Sequence, residues 1–148
     1  MKHILVTTDL SELADAALEP AASMARGAGA ELTVFHTIAT EAPPKPDPKG
    51  AYYKVALGLW ETDQGVVADA RRQLDERVAR FADVSAQGAL GRGDPVAAVL
   101  AHIAAHGVDL VVISSHGRTG LKRMLLGSVA EEVARRSPVP VLIWKTPA

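Results

Sequence analysis

The chain has 148 residues, 48% of them hydrophobic and 22% charged, and a net charge of −1. That length gives one domain with a single buried core, and the composition excludes wholesale disorder. The near-neutral balance argues against a dedicated nucleic-acid binder while leaving room for a local basic patch, and the absence of cysteine excludes disulfides, thiolate zinc sites and thiol chemistry.

The opening residues MKHILVTTDL alternate like a strand and carry no secretory apolar region, and no run of about 18 apolar residues occurs. A soluble cytoplasmic protein is expected, with neither membrane nor nucleic acid among its partners. Ile4-Leu5-Val6-Thr7-Thr8 reads as a nearly continuous apolar strand, the pattern of a strand covered on both faces. Ser11 to Arg26 follows as a helix with Leu13, Ala17, Ala21 and Met24 on one face, closing at Gly27 and Gly29. Leu32 to Ile38 is a second strand. A long connection, about 39–60, holds four of the nine prolines and three of the six aromatics. Such a stretch is a lid, a binding loop or a mobile segment. Its Tyr52, Tyr53 and Trp60 either pack on a ligand or partner or anchor the loop to its own domain. Beyond it Val67, Ala70, Leu74, Val78 and Phe81 recur at helical spacing. Val84 to Leu90 is a weaker strand ended by GRGDP, and Pro95 opens a helix carrying Val96, Val99, Leu100 and Ile103. DLVVIS is a core strand, Val129 to Arg136 a short helix, and VPVLIWK (Val139 to Lys145) a last strand.

Strands alternating with helices specify an α/β fold with a parallel sheet of right-handed βαβ units. Pro140 has no N–H for a ladder, which puts the fifth strand at an edge, and the polar third strand suits the other edge. The expectation is a doubly wound, open five-stranded parallel sheet, order 3-2-1-4-5, with helices on both faces. Residues 1–148 form one unit without internal repeats.

Ligands of such sheets bind beyond the carboxyl ends of the strands, where strand order reverses. Two loops flank that crevice. One is TTDLSE after the first strand, with Asp9 at its tip; the other is SSHGRTGLKRMLLGSVAEEV after the fourth, rich in glycine and basic residues. Gly127-Ser128 opens the last helix, a place where free N–H groups attract anions, yet Ser128 with Glu131 also reads as a capping box needing no ligand. Asp9-x-x-Glu12 likewise caps the first helix, or Asp9 accepts a ribose hydroxyl or assists a cation. Arg118, Lys122 and Arg123 either face the pocket or form a solvated helix face. No Walker P-loop, dinucleotide fingerprint or nucleophile elbow is present. The histidines show no metal spacing: His102 and His106, four apart, read as a surface pair, and His116 in the glycine loop is placed to touch a ligand. No catalytic or metal-binding residue is assigned.

These residues resemble the universal stress protein family over nearly the whole chain, in ILVTTDLSELADAAL, ELTVFHTI and GDPVAAVL through VPVLIWK. The family's nucleotide motif, G-x2-G-x9-G-[ST], aligns with Ser114, Gly117 and Gly127-Ser128, so that Ser114 replaces the first glycine. Its side chain either crowds the ligand or adds a bond to it. The resemblance implies binding of ATP, with Mg2+ as its companion, or of another adenine nucleotide. By position it nominates Thr8 and Asp9, Thr37 on the adenine side, and Ile113, Ser114, Gly117, Gly127, Ser128 and Val129. Arg118, within the spacer, is added for its charge. The resemblance also implies a stress-response role and a homodimer through the edge strand Val139 to Trp144. The alternatives are a nucleotide-free dimeric interaction module and a slow ATP-hydrolysing enzyme with Asp9 or His116 as base.

Overall fold

The computed structural model describes residues 1–38, 51–116 and 126–146, and for 51–63 the backbone alone. Five strands form one sheet in the order β3-β2-β1-β4-β5, with every pairing parallel. They are β1 (His3–Thr7), β2 (Glu31–Ile38), β3 (Ala86–Arg92), β4 (Leu110–Ser114) and β5 (Val141–Trp144). The helices are α1 (Glu12–Asp15), α2 (Leu18–Ala28), α3 (Ala51–Val78), α4 (Pro95–His106) and α5 (Ser128–Arg136), with a 3-10 turn at Ala79–Phe81. No helix among the described residues is long and apolar enough to cross a membrane.

Alternation along β1 sorts the core. Ile4 and Val6 join a cluster with Leu18, Ala21, Leu74 and Phe81, on the face covered by α2 and α3. Leu5 points the other way, to Val96, Val99, Ile103 and Val133 from α4 and α5. All three β1 residues are fully buried, as a strand covered on both faces requires. The polar β3 and the proline-led β5 occupy the two edges, as their sequences require. Pro140, lacking a donor, still serves the sheet through its carbonyl, which accepts from Val111 N at 3.0 Å.

Several boundaries differ from the sequence reading. The expected first helix is two helices, α1 and α2, broken at Ala16-Ala17. Pro20 explains the break: in an unbroken helix its missing N–H would fall in the interior, whereas here it falls in the first turn of α2, where no intrahelical partner is needed. Helix α3 begins at Ala51, well before the expected start near Val67, and so takes residues 51–60 out of the expected connection. The prolines that signalled a loop all lie before Gly50. The remainder of that connection, 39–50, and the side chains of Tyr52, Tyr53 and Trp60 lie outside the described residues. Strand β3 runs to Arg92 rather than ending at Leu90. Gly91 allows this, since a Cβ there would stand 2.6 Å from Phe35 Cζ and 3.0 Å from Ala98 Cβ. Val84, expected in this strand, instead closes a turn onto Phe81 O at 3.0 Å. Strand β5 is shorter than expected, Val141–Trp144.

Candidate functional site

The chain passes from β1 to β2 and β3 on one side of the sheet, then crosses to β4 and β5 on the other. The carboxyl ends of β1 and β4 therefore diverge, leaving a crevice between the segments that follow them. A cavity of about 280 Å³ lies there. It is lined by Thr8 and Asp9 after β1, Phe35 to Thr37 at the end of β2, Ile113 to His116 at the end of β4, and Gly127 to Ala130 at the start of α5. Pro95 and Val99 of α4 complete an apolar wall with Phe35, Ile113 and Val129.

Helix α5 begins at Ser128, and Gly127 is its N-cap with no side-chain capping bond. The capping box expected of Ser128 and Glu131 is therefore absent, because Ser128 is one residue too far along: it is the first helical residue and cannot bridge to its own third turn position. The N–H groups of Ser128, Val129 and Ala130 are those that an α-helix start leaves without intrahelical acceptors. They lie at the cavity, at the positive end of the helix. Gly127 has a different task. Its N–H donates to Ser115 O at 2.8 Å, and a Cβ on it would stand 3.1 Å from that same oxygen. The absence of a side chain lets the helix start close against the end of β4.

Ser114 is buried, and its alternation with Val112 turns it to the α1 and α2 face. Its hydroxyl lies 3.0 Å from Leu13 O and 2.9 Å from His116 O, with its one proton shared between the two carbonyls. Ser115 Oγ, His116 Nδ1 and Thr146 Oγ1 form a triangle with sides of 3.1 to 3.3 Å. Thr146 N donates to Ser115 Oγ at 3.2 Å, so the segment after β5 closes this flank. His116 Nε2 is buried without a hydrogen-bond partner among the described residues.

On the β1 side, Thr8 is saturated by the protein. Its N–H donates to Phe35 O at 2.9 Å, its carbonyl meets His36 Nδ1 at 2.9 Å, and its hydroxyl donates to Asp15 Oδ1 at 3.0 Å. Asp9 Oδ1 accepts from Ser11 N–H at 2.9 Å and from the Ser11 hydroxyl. Asp9 is not the cap of α1. Ser11 holds that position, accepting from Ala14 N at 3.2 Å, because the extended backbone needed of an N-cap falls at Ser11. Asp9 is the only carboxylate among the cavity-lining residues named above, on the β1 side of the cleft whose other side holds the α5 terminus.

Of the residues nominated from sequence, Thr8, Asp9, Thr37, Ile113, Ser114, Gly127, Ser128 and Val129 all border this one cavity. Gly117 and Arg118, with Lys122 and Arg123, lie outside the described residues. Sequence reasoning missed Phe35, His36, Pro95, Val99 and Ser115. The carboxyl-end rule applied to the whole end of β2, and the i, i+4 spacing of Pro95 and Val99, carried the signal. His102, read as half of a surface pair, stacks on exposed His106 at 3.9 Å but also lies 4.9 Å from the Phe35 ring, with its Nε2 buried. Its place beside Ile103 and one turn from Val99 turns it partly to the core. No group of three or more His, Asp or Glu side chains among the described residues is arranged to hold a metal ion.

The family model for the universal stress protein family matches residues 1–145. Universal stress protein YxiE of Bacillus subtilis is 31% identical over 142 residues, covering 95% of this chain and 96% of the relative. Universal stress protein MJ0577 of Methanocaldococcus jannaschii is 28% identical over 157 residues. Its solved structure superposes with a TM-score of 0.82, covering 99% of this chain and 97% of that one. The same fold recurs in a universal stress protein in complex with cAMP, at 24% identity and TM-score 0.67, and in one from Archaeoglobus fulgidus in complex with dAMP, at 20% and 0.63. With the full-length family match, the strand order 3-2-1-4-5 and the cleft at its switch point, the chain belongs to the universal stress protein family.

Proposed function

We propose that this chain is a cytoplasmic stress-response protein that binds an adenine nucleotide, ATP foremost, in the cleft between β1 and β4. The observation that carries the reading is the start of α5, where Gly127 gives no side-chain cap and, among the described residues, three backbone N–H groups at the cavity have no partner. The residues fit such a ligand in each of its parts. Ser128, Val129 and Ala130 would receive phosphate on their N–H groups, with the helix dipole adding to the attraction. The apolar wall of Phe35, Pro95, Val99, Ile113 and Val129 suits a base, with Thr37 beside it. Asp9 would accept ribose hydroxyls or meet a Mg2+ ion that arrives with the nucleotide. The motif spacing nominates Gly117 for the site, and its charge nominates Arg118. ATP binding supplies charge and shape to the cleft, and any hydrolysis, with Asp9 or His116 as base, is slow. Two relatives of the same fold were crystallised with cAMP and with dAMP, which accords with an adenine-selective cleft.

A nucleotide-free interaction module is the second reading, and Ser114 is its one support. The position of that hydroxyl, held on the Leu13 and His116 carbonyls, weakens it. In either reading the protein acts as a homodimer. Strand β5 ends the sheet, bounded only by Pro140, and Trp144 is 40% exposed, so a second copy would cover both. The experiment is native mass spectrometry of the purified chain followed by calorimetric titration with ATP, ADP, AMP and cAMP. Binding of ATP with one site per chain supports the proposal; no bound nucleotide and no heat at millimolar ATP overturns it.

A further inference from the structure

The loop that carries Asp9 is bound into a closed circuit of side chains from three elements. Thr8 Oγ1 donates to Asp15 Oδ1 of α1 at 3.0 Å. Asp15 accepts from Arg77 Nε of α3 at 2.8 and 3.0 Å. Arg77 Nη2 reaches Leu10 O at 2.9 Å, and Leu10 N–H returns to Thr8 Oγ1 at 3.0 Å. Asp9 sits inside this ring, between Thr8 and Leu10. The Arg77 and Asp15 side chains are 14% and 17% exposed, so the pair is sheltered from water and salt, unlike the helix-surface pairs of Arg72 and Arg135.

Leu10 supplies the reason for such a clamp. Its φ is +67°, a left-handed conformation that leucine adopts only when its surroundings impose it. Both of its backbone polar groups are held, the N–H by Thr8 and the carbonyl by Arg77. The turn at Leu10 follows Asp9 directly and joins it to the α1 cap at Ser11, and so bears on where Asp9 stands. Arg77 spans both the carboxylate and the carbonyl, since its planar fork presents separate N–H donors to each. It is anchored in turn on its own helix, Nη1 lying 3.1 Å from Gln73 O.

We infer that Arg77 and Asp15 are positioning residues for the nucleotide site: they hold the Thr8–Leu10 turn in its left-handed form and so set Asp9 toward the ligand. The inference rests on the nucleotide-binding reading above, and it makes α3 part of the binding apparatus although Arg77 does not line the cavity. Its consequence is that the affinity for ATP depends on how α3 docks against α1.

The test uses the full chain and the substitutions R77M, R77K, D15N and D9N. ATP affinity is measured by calorimetry, and amide hydrogen exchange by NMR at Leu10 and Ser11, whose N–H groups are bonded to Thr8 and Asp9. R77M should raise the exchange rates of both amides at least tenfold in the ligand-free protein and weaken ATP binding about tenfold. R77K, a single point donor, should fall between R77M and the parent. In the D9N background R77M should add less than a twofold loss, because Arg77 acts through Asp9; a residue with only a structural role would cost the same in both backgrounds. Should R77M fail to fold, R77K and D15N carry the same comparison. Parent-like exchange and affinity in R77M, or a tenfold loss undiminished by D9N, overturns the inference while leaving the nucleotide site standing. A parent chain that binds no adenine nucleotide overturns both.

Discussion

Replacing Ser114 by glycine, the residue of the family motif at this position, separates the two roles a serine could have there. The hydroxyl lies 3.0 Å from Leu13 O and 2.9 Å from His116 O, and it has one proton to share between them. One part-buried hydrogen bond lost is worth about 1 kcal/mol net. Glycine in a strand adds roughly 0.5–1 kcal/mol of conformational entropy cost. S114G should therefore be destabilised by about 2 kcal/mol, and at about 2–4 °C per kcal/mol for a chain of this size the Tm falls by about 4–8 °C. S114A should show the hydrogen-bond part alone, about half of that. ATP affinity should stay within twofold, since the hydroxyl is bonded to α1 and to its own loop rather than to the ligand. Differential scanning calorimetry and titration calorimetry read the two quantities on the same sample. A tenfold gain in ATP affinity in S114G, with no fall in Tm, would refute the reasoning, for it would mean that the serine stands in the path of the nucleotide.

Gly127→Val should weaken ATP binding at least tenfold in titration calorimetry with the sheet intact by circular dichroism, since its Cβ would start 3.1 Å from Ser115 O and must push the α5 terminus away. Affinity equal to the parent would show that the phosphates lie elsewhere. Burial, followed by the nearby charges of His106 and His3, lowers the His102 pKa from its ordinary 6.5 to about 4. The folded state therefore favours neutral His102: the stability it contributes is present above pH 6.5 and is lost as pH falls toward 4. Thermal melts across that window should show a decline that His102→Leu flattens; an identical decline in the variant would assign the acid sensitivity to other groups. On β5, the carbonyls of Pro140 and Trp144 point to β4, so the alternate residue Ile143 directs its backbone outward. Ile143→Pro should thus remove an outward N–H, leave the β4 ladder, and convert a dimer to monomers in analytical ultracentrifugation; a dimer that survives would move the interface off this edge.

Where the sequence was legible, the reason was that one physical constraint dominated. Ile4-Leu5-Val6 could not tolerate an uncovered face, so the centre of the sheet followed, whereas β5 lies at the edge as expected although Pro140 stands just before it with its backbone toward β4. The site followed from the strand order, because the carboxyl ends of β1 and β4 must diverge at the reversal, and Thr8, Asp9, Thr37, Ile113, Ser114, Gly127, Ser128 and Val129 all stand around that point. Where it was illegible, two constraints competed locally and tertiary packing chose. Gly91 reads as a strand stop, yet it is the residue that lets β3 continue beneath Phe35 and Ala98. Ser128 reads as a cap, yet the short approach of Gly127 to Ser115 moves the helix start by one residue. Pro20 marks a break that apolar periodicity alone conceals.

That single-residue shift at α5 bears directly on function. A serine at the N-cap would satisfy one of the helix's own N–H groups with its hydroxyl and blunt the anion site. With glycine there instead, the bond this terminus makes outside the helix is the Gly127 N–H on Ser115 O, and among the described residues those of Ser128, Val129 and Ala130 meet no partner and are left for a ligand. The opposite wall follows a reverse logic. The Thr8 hydroxyl, N–H and carbonyl are all taken up within the protein, and the Asp9 carboxylate is oriented by Ser11. One wall thus offers donors at a helix start that have no partner among the described residues, and the other offers a carboxylate on a turn that must be held against its own backbone preference. The second wall is the one that can be loosened. Mutations that weaken binding without touching the cleft should therefore cluster around Asp15 and Arg77 rather than along α5, and a scan of ATP affinity across both elements decides between them.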